Sequence, residues 1–202
     1  MTPREKVRAF VIAMECEAEA VRPALRATDR LYVSGVGKVN AAASTQRAID
    51  EGATEIWNCG LCGGFDPAIR VGDIYAVSAA VEYDFDLAKI NGTRVGQLDG
   101  KDSPYFKLSV AESFRAAARV LATGDRFNDS DDDLALLAEL GCTLRDMEGA
   151  AVAHVCERNG IPCTAFKCVS DVHGLGAMTG QYLENKRKCL VRLTEFLCAY
   201  ES

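Results

Sequence analysis

No apolar run in this 202-residue chain is long enough to span a bilayer, so the sequence offers no membrane segment. It also lacks a basic excess: 23 Lys and Arg against 29 Asp and Glu give a formal charge of −6, which argues against a general nucleic-acid binder. Histidine is scarce, with His154 and His173 the only two, and neither stands in a ligand-like cluster, so no metal and no cofactor is expected. The N-terminus shows no signal-peptide cleavage pattern, which sets a cytoplasmic expectation. Linkers, low-complexity tracts and internal repeats are missing too, so residues 1–202 read as one domain.

Two nucleotide motifs are also missing. Gly35-Val36-Gly37-Lys38 has Tyr32 where a P-loop needs its first Gly and Val39 where it needs Ser or Thr. Asn40 stands where a dinucleotide fingerprint needs its last Gly. The nine cysteines are an odd number and lie mostly in apolar runs, where a thiol acts as a small hydrophobe rather than half a disulfide. Cys59-Gly60-Leu61-Cys62 has the spacing of a redox or zinc half-site, but no second pair accompanies it.

What is present alternates. Strands are expected over 7–13, 31–33, 55–59, 74–82, 142–146 and 163–170, with a strand tail at 122–125. Helices are expected over 15–26, 39–51, 110–121, 131–140, 149–158 and 180–200. A tight glycine-rich turn is expected over 60–64 and an irregular polar region over 83–103. Such alternation implies an α/β, three-layer domain: a central, mostly parallel or mixed twisted sheet flanked by helices.

In such folds ligands bind beyond the carboxyl ends of the strands. Carboxylates dominate those positions: Glu15 and Glu17, Asp125, Glu148 and Asp171. This suits a neutral or cationic hydroxyl-rich ligand better than a phosphate. Glu148 and Asp171 stand 23 residues apart, room for one helix, one turn and one strand, a unit expected to return the chain to the same sheet edge. One acid could then grip a polyol while the other donates a proton. Bland roles compete: Glu148 as the start of a helix, Asp171 as a loop cap, Met147 and Phe127 as core, His154 as a packed residue.

Eight segments in order resemble the nucleoside phosphorylase superfamily, and within it the methylthioadenosine/S-adenosylhomocysteine nucleosidases. They are Ala13-Met14-Glu15-Cys16-Glu17, Ser34 to Ala42, Asn58 to Gly64, Val71-Gly72-Asp73-Ile74, Gly96 to Gly100, Gly124-Asp125-Arg126-Phe127, Asp146-Met147-Glu148-Gly149-Ala150-Ala151 and Val169-Ser170-Asp171-Val172. The resemblance implies a nucleoside phosphorylase-like fold and hydrolysis of the N-glycosidic bond of a 5′-modified adenosine, a step of methionine salvage. By the same resemblance Asp171 is the general acid to the purine and Glu17 activates water, with Glu15 the nearby alternative. Glu148 clamps the ribose, Met147 packs on the sugar, and Phe127 stacks on the base. Ser170 and Asn128 frame the purine, and Leu61 and Gly63 line the site. It also implies a homodimer or larger homo-oligomer, with Ile90 and the Ser103-Pro104-Tyr105-Phe106 stretch as candidates to reach a neighbour's pocket.

Departures from the family pattern leave other readings open. Leu61 and Cys62 replace a common Ser-Ala, and Lys167 stands where Arg is frequent. Arg126 and Asn128 flank the stacking aromatic, and the segment between Arg26 and Ser34 is short. A phosphate-dependent phosphorylase, a futalosine-type hydrolase and a catalytically silent nucleoside-binding protein are the alternatives.

Overall fold

The computed structural model, which describes residues 6–127 and 130–201, alternates strands and helices along the chain. In order these are β1 (Arg8–Ile12), α1 (Glu15–Val21), β2 (Arg30–Val33), α2 (Lys38–Asp50), β3 (Glu55–Gly64), β4 (Ile74–Glu82) and α3 (Ala88–Asn91). There follow β5 (Phe106–Lys107), β6 (Arg119–Thr123), α4 (Leu134–Glu139), β7 (Leu144–Asp146), α5 (Gly149–Asn159), β8 (Cys163–Val172) and α6 (Met178–Glu201).

Side-chain alternation along β1 separates two apolar layers. Ala9 and Val11 face a cluster with Ala41 and Ala48 of α2 and Ala150 to Ala153 of α5. Phe10 and Ile12 face the opposite cluster, with Ala18 and Val21 of α1 and Cys189, Leu193 and Leu197 of α6. The period of two in a strand thus builds a helix–sheet–helix sandwich. The small residues that open α5 let it lie close against its neighbours.

The sheet is mixed. β1–β2, β1–β3, β3–β8, β4–β6 and β6–β7 pair in parallel. β3–β7, β4–β5 and β4–β8 pair antiparallel. Because β8 bridges β3 and β4, the pairings β3–β7–β6–β4–β8–β3 form a closed circuit. β7 and β8 therefore do not return to one sheet edge as the spacing suggested. They flank β3 on both sides: Gly63 is in register with Arg145 and with Asp171.

Three expected elements change character. Residues 60–64 are no turn but the second half of β3, because pairing with both β7 and β8 holds the glycines extended. Residues 110–121 do not form an α-helix; a 3₁₀ turn at Glu112–Ala117 leads into β6, whose ladders with β4 and β7 override the helix preference of an Ala-rich segment. The helix expected over 15–26 stops at Val21 and passes into a 3₁₀ turn at Arg22–Ala24, with Pro23 unable to continue an α-helical ladder.

Among the described residues no helix is long and apolar enough to cross a membrane, and no three His, Cys, Asp or Glu side chains gather as metal ligands. Cys59 and Cys62 are buried free thiols three residues apart along β3. Burial pushes both up, Cys59 to about 12, so neither is a reactive thiolate at neutral pH.

Candidate active site

A cavity of about 350 Å³ opens at the carboxyl-terminal ends of β1, β3, β7 and β8, lined in part by the last residues of β3, β7 and β8. Of the residues singled out in the sequence, Glu17, Leu61, Gly63, Phe127, Met147, Glu148, Ser170 and Asp171 all line it. Asn128 lies outside the described residues.

Glu17 occupies the first turn of α1, which the chain enters from the end of β1. Its carboxylate folds back into the protein, where Oε1 accepts the Leu61 N–H at 2.8 Å and Oε2 accepts the Met14 N–H at 3.2 Å. Burial raises its pKa, against the lowering pull of those two N–H donors and of Lys167. A Cβ on Gly60 would stand 2.6 Å from Glu17 Oε1, so the carboxylate fits only because residue 60 has no side chain. Glu15 points the other way: it is 64% exposed and pairs with Arg22 at 3.4 Å.

Asp146 ends β7, and Met147 and Glu148 connect it to α5. Asp146 is the anchor of that turn. It accepts the Thr123 hydroxyl at 2.6 Å and the Gly149 N–H at 2.9 Å, so it satisfies a donor at the helix start, while the Thr123 hydroxyl accepts the next N–H, from Ala150, at 2.8 Å. Lys167 Nζ lies 2.8 Å from Asp146 Oδ2 and donates to Asn58 Oδ1 at 2.6 Å. This lysine is buried; burial disfavours its charge, but Asp146, Glu148 and Glu17 outweigh that and hold its pKa above the ordinary lysine value. Glu148 accepts the Gly37 N–H at 2.8 Å. Burial, then repulsion from Asp146, pushes its pKa up to about 7, with Lys167 and the Gly37 N–H acting against the rise.

On the far side of β3 a bulge controls aim. Cys62 is in register with Val169 and Gly63 with Asp171, so Ser170 is an extra residue in β8. Strict alternation would send Ser170 and Asp171 to opposite faces, whereas here both border the cavity. Ser170 donates to Asp171 Oδ2 at 2.6 Å and reaches the Cys62 carbonyl at 3.3 Å.

Phe127 guards the mouth, 47% exposed, with its ring centroid 5.6 Å from that of Tyr182. Tyr182, Thr179 and Leu183 of α6 and Arg145 also border the cavity and were not singled out in the sequence, as do Met14 and Val36, which lie in the resembling segments but were given no role. Tyr182 had a weak signal: it lies in the first turns of a long amphipathic helix that follows the glycine-containing loop after Asp171. Arg145 had none. It is buried, 4.7 Å over the Phe65 ring and 3.4 Å from Asp133. Arg126 pairs with Asp133 at 2.5 Å.

The two histidines and the residues expected to reach a neighbour lie outside the cavity lining. His154 stacks on Phe106 at 4.5 Å and contacts Glu82 at 3.0 Å. His173 stacks on Phe65 and contacts Asp131 at 2.8 Å. Ile90 is exposed on α3, whereas Phe106 is core and Tyr105 donates to the Leu140 carbonyl, so those two rings are committed within the chain.

The model of the phosphorylase superfamily matches residues 30–200. A 5′-methylthioadenosine/S-adenosylhomocysteine nucleosidase of Marinomonas sp. (strain MWYL1) is 36% identical over 160 residues, 71% of this chain and 68% of its own length. The nucleosidase of the same name from Geobacillus kaustophilus (strain HTA426) is 34% identical over 176 residues, 78% of this chain and 74% of its own. Among solved structures, the Helicobacter pylori nucleosidase with butyl-thio-DADMe-Immucillin-A superposes with a TM-score of 0.84 at 20% identity, covering 97% of both chains. That of Neisseria meningitidis with methylthio-immucillin-A gives 0.83 at 24% identity, over 96% of this chain and 97% of its own.

Proposed function

We propose, on the premise that this chain belongs to the phosphorylase superfamily and to its methylthioadenosine/S-adenosylhomocysteine nucleosidase branch, that it is a nucleosidase hydrolysing the N-glycosidic bond of a 5′-modified adenosine. Methylthioadenosine and S-adenosylhomocysteine are the substrates to which this reading commits. The observation that carries it is the convergence of Glu17, Glu148 and Asp171 on one cavity, with Glu17 buried and shifted toward proton uptake.

Cleavage of that bond passes through an oxocarbenium-like sugar and an electron-rich departing purine. Asp171 donates a proton to the leaving base, with Ser170 fixing its carboxyl orientation. Glu148 accepts the sugar hydroxyls, and its anion and that of Glu17 stabilise the positive sugar. Glu17 takes the proton of the attacking water; a raised carboxylate pKa makes it a better base near neutrality. Phe127 stacks on the base and Met147 on the sugar. The division of labour parallels glycoside hydrolysis, where two carboxyls split acid and water-activating roles.

Water as nucleophile is favoured over phosphate by the wall itself. Glu17, Asp146, Glu148 and Asp171 face the cavity, while the lining cation among the described residues is Arg145, already engaged by Asp133 and Phe65. The apolar Leu61 stands where a Ser would help hold an anion. We extend the proposal to a homodimer or larger homo-oligomer, since Val36, Phe127 and Leu183 expose apolar surface around the mouth, and to a cytoplasmic role in methionine salvage.

The test is a phosphate-free panel of purine nucleosides, futalosine-type substrates included, read by free-base detection. Adenine release from 5′-thioadenosines, unchanged on adding phosphate, is the expected result. Release only with phosphate, or binding without release from any nucleoside, would overturn the reading.

A further inference from the structure

Asp125 does not line the main cavity, yet it sits where two halves of the site meet. Residues 35–38 form a strap that runs from the loop after β2 into the first residue of α2, and Val36 of that strap borders the cavity. The strap ends in two consecutive N–H groups, and two different carboxylates take them. Gly37 N–H donates to Glu148 Oε1 at 2.8 Å; Lys38 N–H donates to Asp125 Oδ1 at 2.7 Å. Asp125 is itself held, because its N–H donates to Asp84 Oδ2 at 3.0 Å. Lys38 Nζ closes the ring onto Asp84 Oδ1 at 2.5 Å. The strap rests directly on this ring: Gly37 has φ of 100°, and a Cβ there would stand 3.1 Å from Asp125 Oδ1. Two residues beyond Asp125 comes Phe127 at the cavity mouth.

We propose that Asp125 is a positioning residue for sugar binding, which seats the 35–38 strap through Lys38 and Asp84 so that Gly37 holds Glu148 in place. The inference rests on the reading of Glu148 as the ribose clamp. Without the Asp125 carboxylate the Lys38 N–H loses its acceptor, the strap loosens, and Glu148 loses its fixed donor. Small displacements of a clamping group are costly in rate, which makes so indirect a link measurable.

The experiment compares Asp125→Ala and Asp125→Asn with the natural chain on 5′-methylthioadenosine and on its 2′,3′-dideoxy analogue, which offers Glu148 no sugar hydroxyl. Asp125→Ala is expected to lower kcat/KM for the ribonucleoside by about tenfold, the scale of one charge-assisted hydrogen bond lost, and to change the dideoxy analogue by less than about twofold. Asp125→Asn keeps an Oδ1 acceptor for Lys38 and is expected to recover most of the loss. Asp84→Ala, which removes the next link, serves as a second variant with the same expected pattern should Asp125→Ala fold poorly. Equal losses on both substrates would make Asp125 a merely structural residue and overturn the proposal, as would unchanged discrimination. If the natural chain itself does not distinguish the two substrates, Glu148 is not the sugar clamp and the inference falls with that reading.

Discussion

Replacing Lys167 by Met tests the electrostatic frame of the site. The ammonium is 2% exposed, 2.8 Å from Asp146 Oδ2 and 2.6 Å from Asn58 Oδ1, so its removal leaves Asp146 buried without its cation. Breaking a buried pair by deleting one partner costs about 3–5 kcal/mol. For a chain of this size each kcal/mol moves Tm by roughly 2–4 °C, so a fall of about 6–20 °C is expected in calorimetry. The sign is unambiguous at working pH. Lys167 has a pKa raised above the ordinary lysine value, so its contribution is complete below that ordinary value and disappears only as pH rises through the higher, strongly alkaline one. A second readout is independent of stability. Lys167 pulls down the pKa of both Glu17 and Glu148, so its loss should shift the acid limb of kcat/KM to higher pH. Lys167→Met combined with Asp146→Asn should recover part of the lost Tm, because neither partner is then charged. A single variant melting within about 2 °C of the natural chain, with an unmoved acid limb, would refute this reasoning.

Three further outcomes are expected. As the proposed ribose clamp, Glu148 works as its anion, and its pKa of about 7 predicts that kcat/KM falls by up to about tenfold per unit below that pH; a flat profile from pH 5 to 8 would contradict it. The same raised pKa means the Glu148 contribution to stability is complete below the ordinary carboxylate value and lost as pH rises through about 7, so for this group activity and stability run in opposite directions, separable by a melting series. Glu17→Gln should lower kcat by about 10²–10⁴ with the fold intact by circular dichroism, whereas Glu15→Gln, on a solvent-facing pair, should change it less than about twofold. Gly60→Ala places a methyl 2.6 Å from Glu17 Oε1 and should cost about 1–3 kcal/mol of stability together with much of the activity; unchanged melting and rate would show that the pocket relaxes freely.

The layered α/β architecture was legible because the periodicities are local: 74–82 reads as a strand at both of its ends, and the small residues after Glu148 read as a helix. Pairing was not legible. The glycines at 60–64 carry turn chemistry, and only the two strands flanking them make them a strand. Residues 110–121 have helix-forming composition, and the ladders of β6 depend on partners about 40 residues earlier and 20 later. The cavity carboxylates Glu17, Glu148 and Asp171 were visible as acids at strand ends and through ordered motif resemblance. The Lys167–Asp146 pair, the Ser170 bulge and the Asp125 ring were not, because each depends on a register or a side-chain direction that no spacing encodes. Arg145 stayed hidden for a simpler reason: one buried arginine in a strand has no sequence signature.

The central claim, hydrolysis with Asp171 as the acid to the purine, is tested most directly by single-turnover release of adenine from 5′-methylthioadenosine in phosphate-free buffer. The natural chain should release adenine and free 5-methylthioribose, and Asp171→Asn should be slower by about 10²–10⁴ while still binding the nucleoside. Release at an unchanged rate by Asp171→Asn, or a sugar 1-phosphate formed only when phosphate is supplied, would contradict the account.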